Sequence, residues 1–200
     1  MKQLTAIFAG LFILSLLLTG CKKDKDDDKD NFFAVEDDNQ DLSWGLYIYW
    51  GTDSWYEGEG FQVFLCSADL EFSSDLFIWT GTGNRMLIEF ISDSDEEIST
   101  GTYEFETEEP LPVFTFDQYS YWETGYNTAE YDGSYLASGT IKVNSLGDDK
   151  YEFIIDATDE GDNEVTGYFK GTLNYVDATL KNSNLSGIST VRGLRAVRME

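Results

Sequence analysis

The chain has 200 residues, 42% of them hydrophobic and 16% aromatic, which suits one domain with a genuine core. Thirty-eight acids against 13 bases give a net charge of −25, which argues against nucleic acid as a partner, since phosphate binding needs a basic surface. Histidine is absent, which removes the usual general base, the Ser-His-Asp and Cys-His arrangements and the commonest zinc ligand.

Lys2 and the apolar run Ala6 to Leu18 open the chain, a stretch too short to remain as a membrane span. It ends in Leu18-Thr19-Gly20-Cys21, a small residue placed directly before a cysteine. This pattern resembles the bacterial lipoprotein signal. The resemblance implies that residues 1–20 are a signal peptide, cut before Cys21, and that lipid on the Cys21 sulfur tethers the chain to a membrane. Several acyl chains hold firmly, because each buried methylene contributes about 0.8 kcal/mol. The run Lys22-Lys23-Asp24-Lys25-Asp26-Asp27-Asp28-Lys29-Asp30 follows, with no apolar residue to bury. Residues 21–41 are therefore expected as a disordered acidic tether. Lysine followed by aspartates after the lipid cysteine resembles the export signal of surface lipoproteins in Bacteroidota-type bacteria. That resemblance implies an outer-membrane anchor facing the cell exterior, with the periplasmic face as the alternative.

The chain is glycine-punctuated, with 18 glycines and 2 prolines, and in its body alternation dominates over helical periodicity. Trp44, Leu46, Ile48 and Trp50 form one apolar face of a strand. Phe61 to Cys66 is strand-like, and Cys66 is expected as a small buried apolar residue rather than a nucleophile. Arg85 to Ser92 is a near-continuous apolar strand with Met86, Ile88 and Phe90 on one face. Gly101 to Glu106 and Val113 to Phe116 are two further strands. Gly139 to Val143, Tyr151 to Asp156 and Val165 to Tyr175 alternate cleanly across the turns Leu146-Gly147-Asp148-Asp149 and Asp159-Glu160-Gly161-Asp162-Asn163. They predict an antiparallel meander with one wet and one dry face. Gly167 and Gly171 fall on the dry face, where glycine marks a bend or the close approach of another backbone.

Together these elements predict an all-β domain over residues 42–180, a single antiparallel β-sandwich with a lipocalin-like β-barrel as runner-up. Residues 181–200 are a basic tail or final strand, with Arg192, Arg195 and Arg198. Gly101-Thr102-Tyr103, Ser138-Gly139-Thr140-Ile141-Lys142-Val143 and Val165-Thr166-Gly167-Tyr168-Phe169-Lys170-Gly171-Thr172-Leu173 resemble a pattern recurrent in β-sandwich lipoproteins of Bacteroidota-type bacteria. The resemblance covers residues 42–176 and concerns turns and strands. It implies the fold and carries over no catalytic residue.

Aromatic and acidic side chains cluster in two loops, Asp53 to Gly60 and Tyr119 to Tyr126. Sugar rings stack apolar CH faces on aromatic rings, while their hydroxyls take carboxylate or amide partners. Trp55, Tyr56, Tyr121, Trp122 and Tyr126 are accordingly the candidate glycan-binding residues. Asp156, Asp159, Glu160, Asp162, Asn163 and Glu164 lack the order of an EF-hand loop, and a solvated turn explains them more simply. No cofactor, metal ligand or catalytic residue is assigned. The sequence thus points to a surface-exposed, lipid-anchored module that binds an extracellular glycan or an envelope partner. A structural or assembly subunit of a surface complex is one alternative, and a glycoside hydrolase-like enzyme is another.

Overall fold

A computed structural model of the protein describes residues 29–179. The expected signal peptide, Cys21, the tether up to residue 28 and the tail 181–200 lie outside the described residues. Thirteen strands make up the domain. The first half holds β1 (Phe32–Val35), β2 (Asp38–Asp41), β3 (Trp44–Thr52), β4 (Glu59–Cys66), β5 (Leu70–Ser73), β6 (Ile78–Gly81) and β7 (Gly83–Ser92). The second half holds β8 (Gly101–Glu106), β9 (Thr115–Asp117), β10 (Tyr121–Tyr126), β11 (Asp132–Gly147), β12 (Lys150–Asp159) and β13 (Glu164–Asp177).

The all-β reading holds, and the meander β11–β12–β13 is antiparallel as its alternation requires. Asp148 and Asp149, with φ of 53° and 56°, form the two-residue loop between β11 and β12. Positive φ at both positions matches the right-handed twist of the flanking strands. The expectation of a purely antiparallel sheet is corrected at two places: β13 pairs in parallel with β3, and β8 with β9. The domain also starts earlier than residue 42. Phe32–Val35 pairs with Tyr168–Val165, and Phe33 is wholly buried. The acidic run ends at Asp30, and the apolar Phe32-Phe33-Ala34-Val35 that follows has surface to bury.

Three long strands organise the large sheet. β7 pairs with β4 along one edge and with β10 and β9 along the other. β11 pairs with β12 on one edge and with β10 and β8 on the other. β13 pairs with β12 on one edge, and gives its first half to β1 and its last residues to β3. The hydrogen-bonded path β3–β4–β7–β10–β11–β12–β13 therefore returns to β3. β1 comes close at Gly167: a Cβ there would stand 3.2 Å from the Phe32 carbonyl oxygen and 3.0 Å from Ile155 Cδ1. This is the close backbone approach that the in-strand glycine predicts.

The inward faces meet in one large cluster: Phe61, Phe90, Phe116, Phe153, Phe169, Tyr103 and Tyr151 are among its fully buried members. Each large apolar side chain contributes about 1.5–3 kcal/mol on burial. The polar tips of this interior are satisfied. Tyr47 donates to Asp149 Oδ1 at 2.8 Å, Tyr103 to the Ser99 carbonyl at 2.9 Å, and Trp122 Nε1 to Asp159 Oδ2 at 3.2 Å. Cys66 is buried, as expected, and burial pushes its thiol up, away from the reactive thiolate.

A second, smaller cluster lies on the outer face of β3, β4 and β7. β5 and β6 pair only with each other, and their hairpin lies over that face. The apolar row Trp44, Leu46, Ile48 and Trp50 belongs to this outer layer, not to the interior.

Candidate functional site

β7 alternates strictly, so Met86, Ile88 and Phe90 face the interior while Arg85 and Leu87 face the outer layer. Cross-strand neighbours share a face. Arg85 is therefore flanked by Cys66 on β4 and Glu123 on β10, and Leu87 by Phe64 and Tyr121. Arg85 is the only arginine among the described residues, and it is 1% exposed.

Rings enclose its guanidinium. Cζ lies 4.5 Å from the Tyr126 ring centroid, 4.6 Å from Trp79, 5.7 Å from Phe64 and 6.0 Å from Tyr121. Such contacts contribute about 0.5–2 kcal/mol each, the larger values when the cation is desolvated. Arg85 Nε donates to Glu123 Oε1, so the buried charge is compensated. Glu123 itself is 4% exposed, and its Oε2 accepts from the Tyr131 hydroxyl at 3.4 Å. Tyr131 is 58% exposed, so a ring open to solvent stands directly over the buried pair. Its hydroxyl pKa is raised, first by partial burial and then by the Glu123 carboxylate. Tyr135 packs edge-on against Tyr121, with centroids 5.9 Å apart, and widens the aromatic rim.

One guanidinium nitrogen has no such compensation. Arg85 Nη1 is buried with no hydrogen-bond partner, and Trp50 Nε1 is in the same condition. Both are donors, and both belong to residues of the outer layer.

The five sequence candidates separate into three places. Tyr121 and Tyr126 line the arginine box. Trp122 does not: it is 5% exposed in the interior, because it alternates with Tyr121 and Glu123 along β10 and its indole donates to Asp159. As a glycan platform it is corrected to a core residue. Trp55 and Tyr56 lie at the opposite end of the sheet. Tyr56 bridges to Leu111, and the Trp55 carbonyl accepts from Leu111 N at 2.8 Å. β4 pairs Glu59 with Ser92 and Cys66 with Arg85, so the two groups stand roughly 23 Å apart at about 3.3 Å per residue. Trp55 is 37% exposed and stands away from the arginine box. Sequence reading passed over Arg85, Glu123, Tyr131 and Trp79. The available signal was one arginine in a near-continuous apolar strand of an acidic body.

The carboxylates with displaced proton affinity are displaced downward. In Asp159 burial pushes up, but hydrogen bonds from Asn163, Gly161 and Trp122 outweigh it and the pKa is lowered. Asn144 and Tyr168 hold Glu152 low, and the amides of Glu108 and Thr107 hold Glu106 low. The Asp159 carboxylate is engaged in closing its own turn, accepting from Gly161 N at 2.8 Å and Asn163 N at 3.0 Å.

No protein-family model, no curated protein and no solved structure matches this chain.

Proposed function

We propose that the protein is a lipid-anchored binding module of the outer membrane, held by lipid on Cys21 and facing the cell exterior, that binds a glycan. The observation that carries this reading is the aromatic box around Arg85 and Glu123, covered by the solvent-exposed ring of Tyr131. Rings offer stacking surfaces for sugar CH faces. A guanidinium and a carboxylate offer donors and acceptors for hydroxyls. The closed circuit of strand pairings supports the barrel alternative over a two-sheet sandwich. The aromatic interior fills that circuit, which favours a ligand on the outer layer rather than within the sheet.

An envelope protein is the second reading. Leu76 at 70% exposure and Ile78 at 45%, at the end of the β5–β6 hairpin, favour it. Hydrolysis is the third reading, and it requires two carboxylates facing each other across a cleft, one of them with a raised pKa.

The test is a glycan-array screen of the full chain purified in detergent, with Tyr131→Ala and Trp55→Ala beside it. The reading expects a specific hit that Tyr131→Ala removes and Trp55→Ala keeps. An array with no hit from folded protein overturns it. Surface proteolysis of intact cells, with Cys21→Ala as control, tests the location: digestion of the parent chain supports the exterior face, and protection contradicts it.

A further inference from the structure

We infer that the layer between the β5–β6 hairpin and the outer face of β3, β4 and β7 is an occluded cleft for a neutral oligosaccharide, running from Arg85 to Trp50. The inference rests on the glycan reading above and adds where the chain lies and what charge it carries.

Three observations converge. The hairpin is hydrogen-bonded as its own two-stranded sheet and covers the outer face with side chains. Its rings form an unbroken series. Trp79 sits over Arg85 and lies 4.9 Å from Phe72, Phe72 lies 5.7 Å from Phe77, and Phe77 lies 6.1 Å from Trp50. Among the described residues, the two buried side-chain donors without partners are Arg85 Nη1 and Trp50 Nε1, at the two ends of that series. A buried donor left unpaired is costly, so a structure that keeps two of them in one layer is matched to a ligand rich in oxygen acceptors.

The charge pattern selects the ligand. Glu123 already neutralises Arg85, and the chain carries a net charge of −25. An acidic sugar would enter a repulsive field with no free cation to meet it. A hydroxyl or acetamido oxygen accepts from Nη1 and Nε1 at no such cost, while its ring stacks on Trp79, Phe72 or Phe77. Arg85 and Trp50 stand roughly 20 Å apart along the strands at about 3.3 Å per residue, a span for a short chain rather than a single sugar.

The experiment titrates the full chain with cellohexaose, xylohexaose, mannohexaose, laminarihexaose and a hexagalacturonate, read by calorimetry and by hydrogen exchange of the hairpin. Two variants remove the donors without opening a hole. Trp50→Phe keeps the ring, and Arg85→Met with Glu123→Leu replaces the ion pair by apolar side chains. The expected result is binding of at least one neutral hexamer in preference to the uronate, with slower exchange over residues 70–81. Trp50→Phe then weakens binding by about fivefold, the loss of one hydrogen bond, and the double variant by tenfold or more. Urea midpoints confirm that both variants fold. Parent-like affinity in both variants, with the array hit intact, overturns the cleft while the glycan reading stands. Preference for the uronate overturns the neutral ligand. Unchanged hairpin exchange on binding overturns the occlusion. Absence of any glycan binding overturns both readings.

Discussion

The molecule has two buried layers, and they are built on different rules. The interior joins apolar faces from almost every strand, and its polar tips, Tyr47, Tyr103 and Trp122, each reach an acceptor. The outer layer is smaller, holds the one described arginine with its glutamate, and leaves two donors without partners. An ion pair of this kind is a poor device for stability, since apolar residues of similar volume commonly do as well or better. The interior therefore supplies most of the folding energy, while the outer layer carries the buried charge pair and the two unpartnered donors.

The comparison is broken most forcefully by truncation. Phe153→Ala in the interior should cost about 3–5 kcal/mol in urea unfolding. Phe72→Ala in the outer layer, where the ring is half-buried under the hairpin, should cost less than half of that. Equal costs would mean that the outer layer is a second structural core. Glu123→Gln should cost about 3 kcal/mol, because it strands the Arg85 charge in an aromatic box.

The sequence made one layer far more legible than the other. Period-2 alternation located β3, β7, β8, β12 and β13, and the meander turns fell where Gly147 and Gly161 stand. Alternation also assigned Met86, Ile88 and Phe90 to one face correctly. It says which residues share a face, not which face is the interior. Trp44, Leu46, Ile48 and Trp50 thus read as one apolar face, and that face is the floor of the outer layer. β1 and β2 were missed because strands of four residues next to a charged run carry little periodicity. Loop clustering brought Tyr121 and Trp122 together in sequence, but adjacent strand residues point to opposite faces, so one reached the site and the other the core. The Arg85–Glu123 pair arises from a β7–β10 register, a long-range fact that local pattern does not encode.

Smaller effects follow from proton linkage. Asp159 has a lowered native pKa, so its contribution to stability is present above the ordinary value of 3.8 and lost as pH falls below it. Asp159→Asn should flatten the acid limb of a stability–pH profile. Tyr49 and Tyr103 are pushed up to about 12, chiefly by burial. Their contribution is complete below the ordinary value of 10.0 and lost as pH rises from there through about 12, which alkaline unfolding would register.

The most direct measurement is the stability of the Arg85→Met, Glu123→Leu variant set beside its oligosaccharide affinity. The account predicts a urea midpoint equal to or above that of the parent chain, with binding reduced tenfold or more. A large loss of stability with binding intact would contradict it, and would return Arg85 and Glu123 to the role of structural glue.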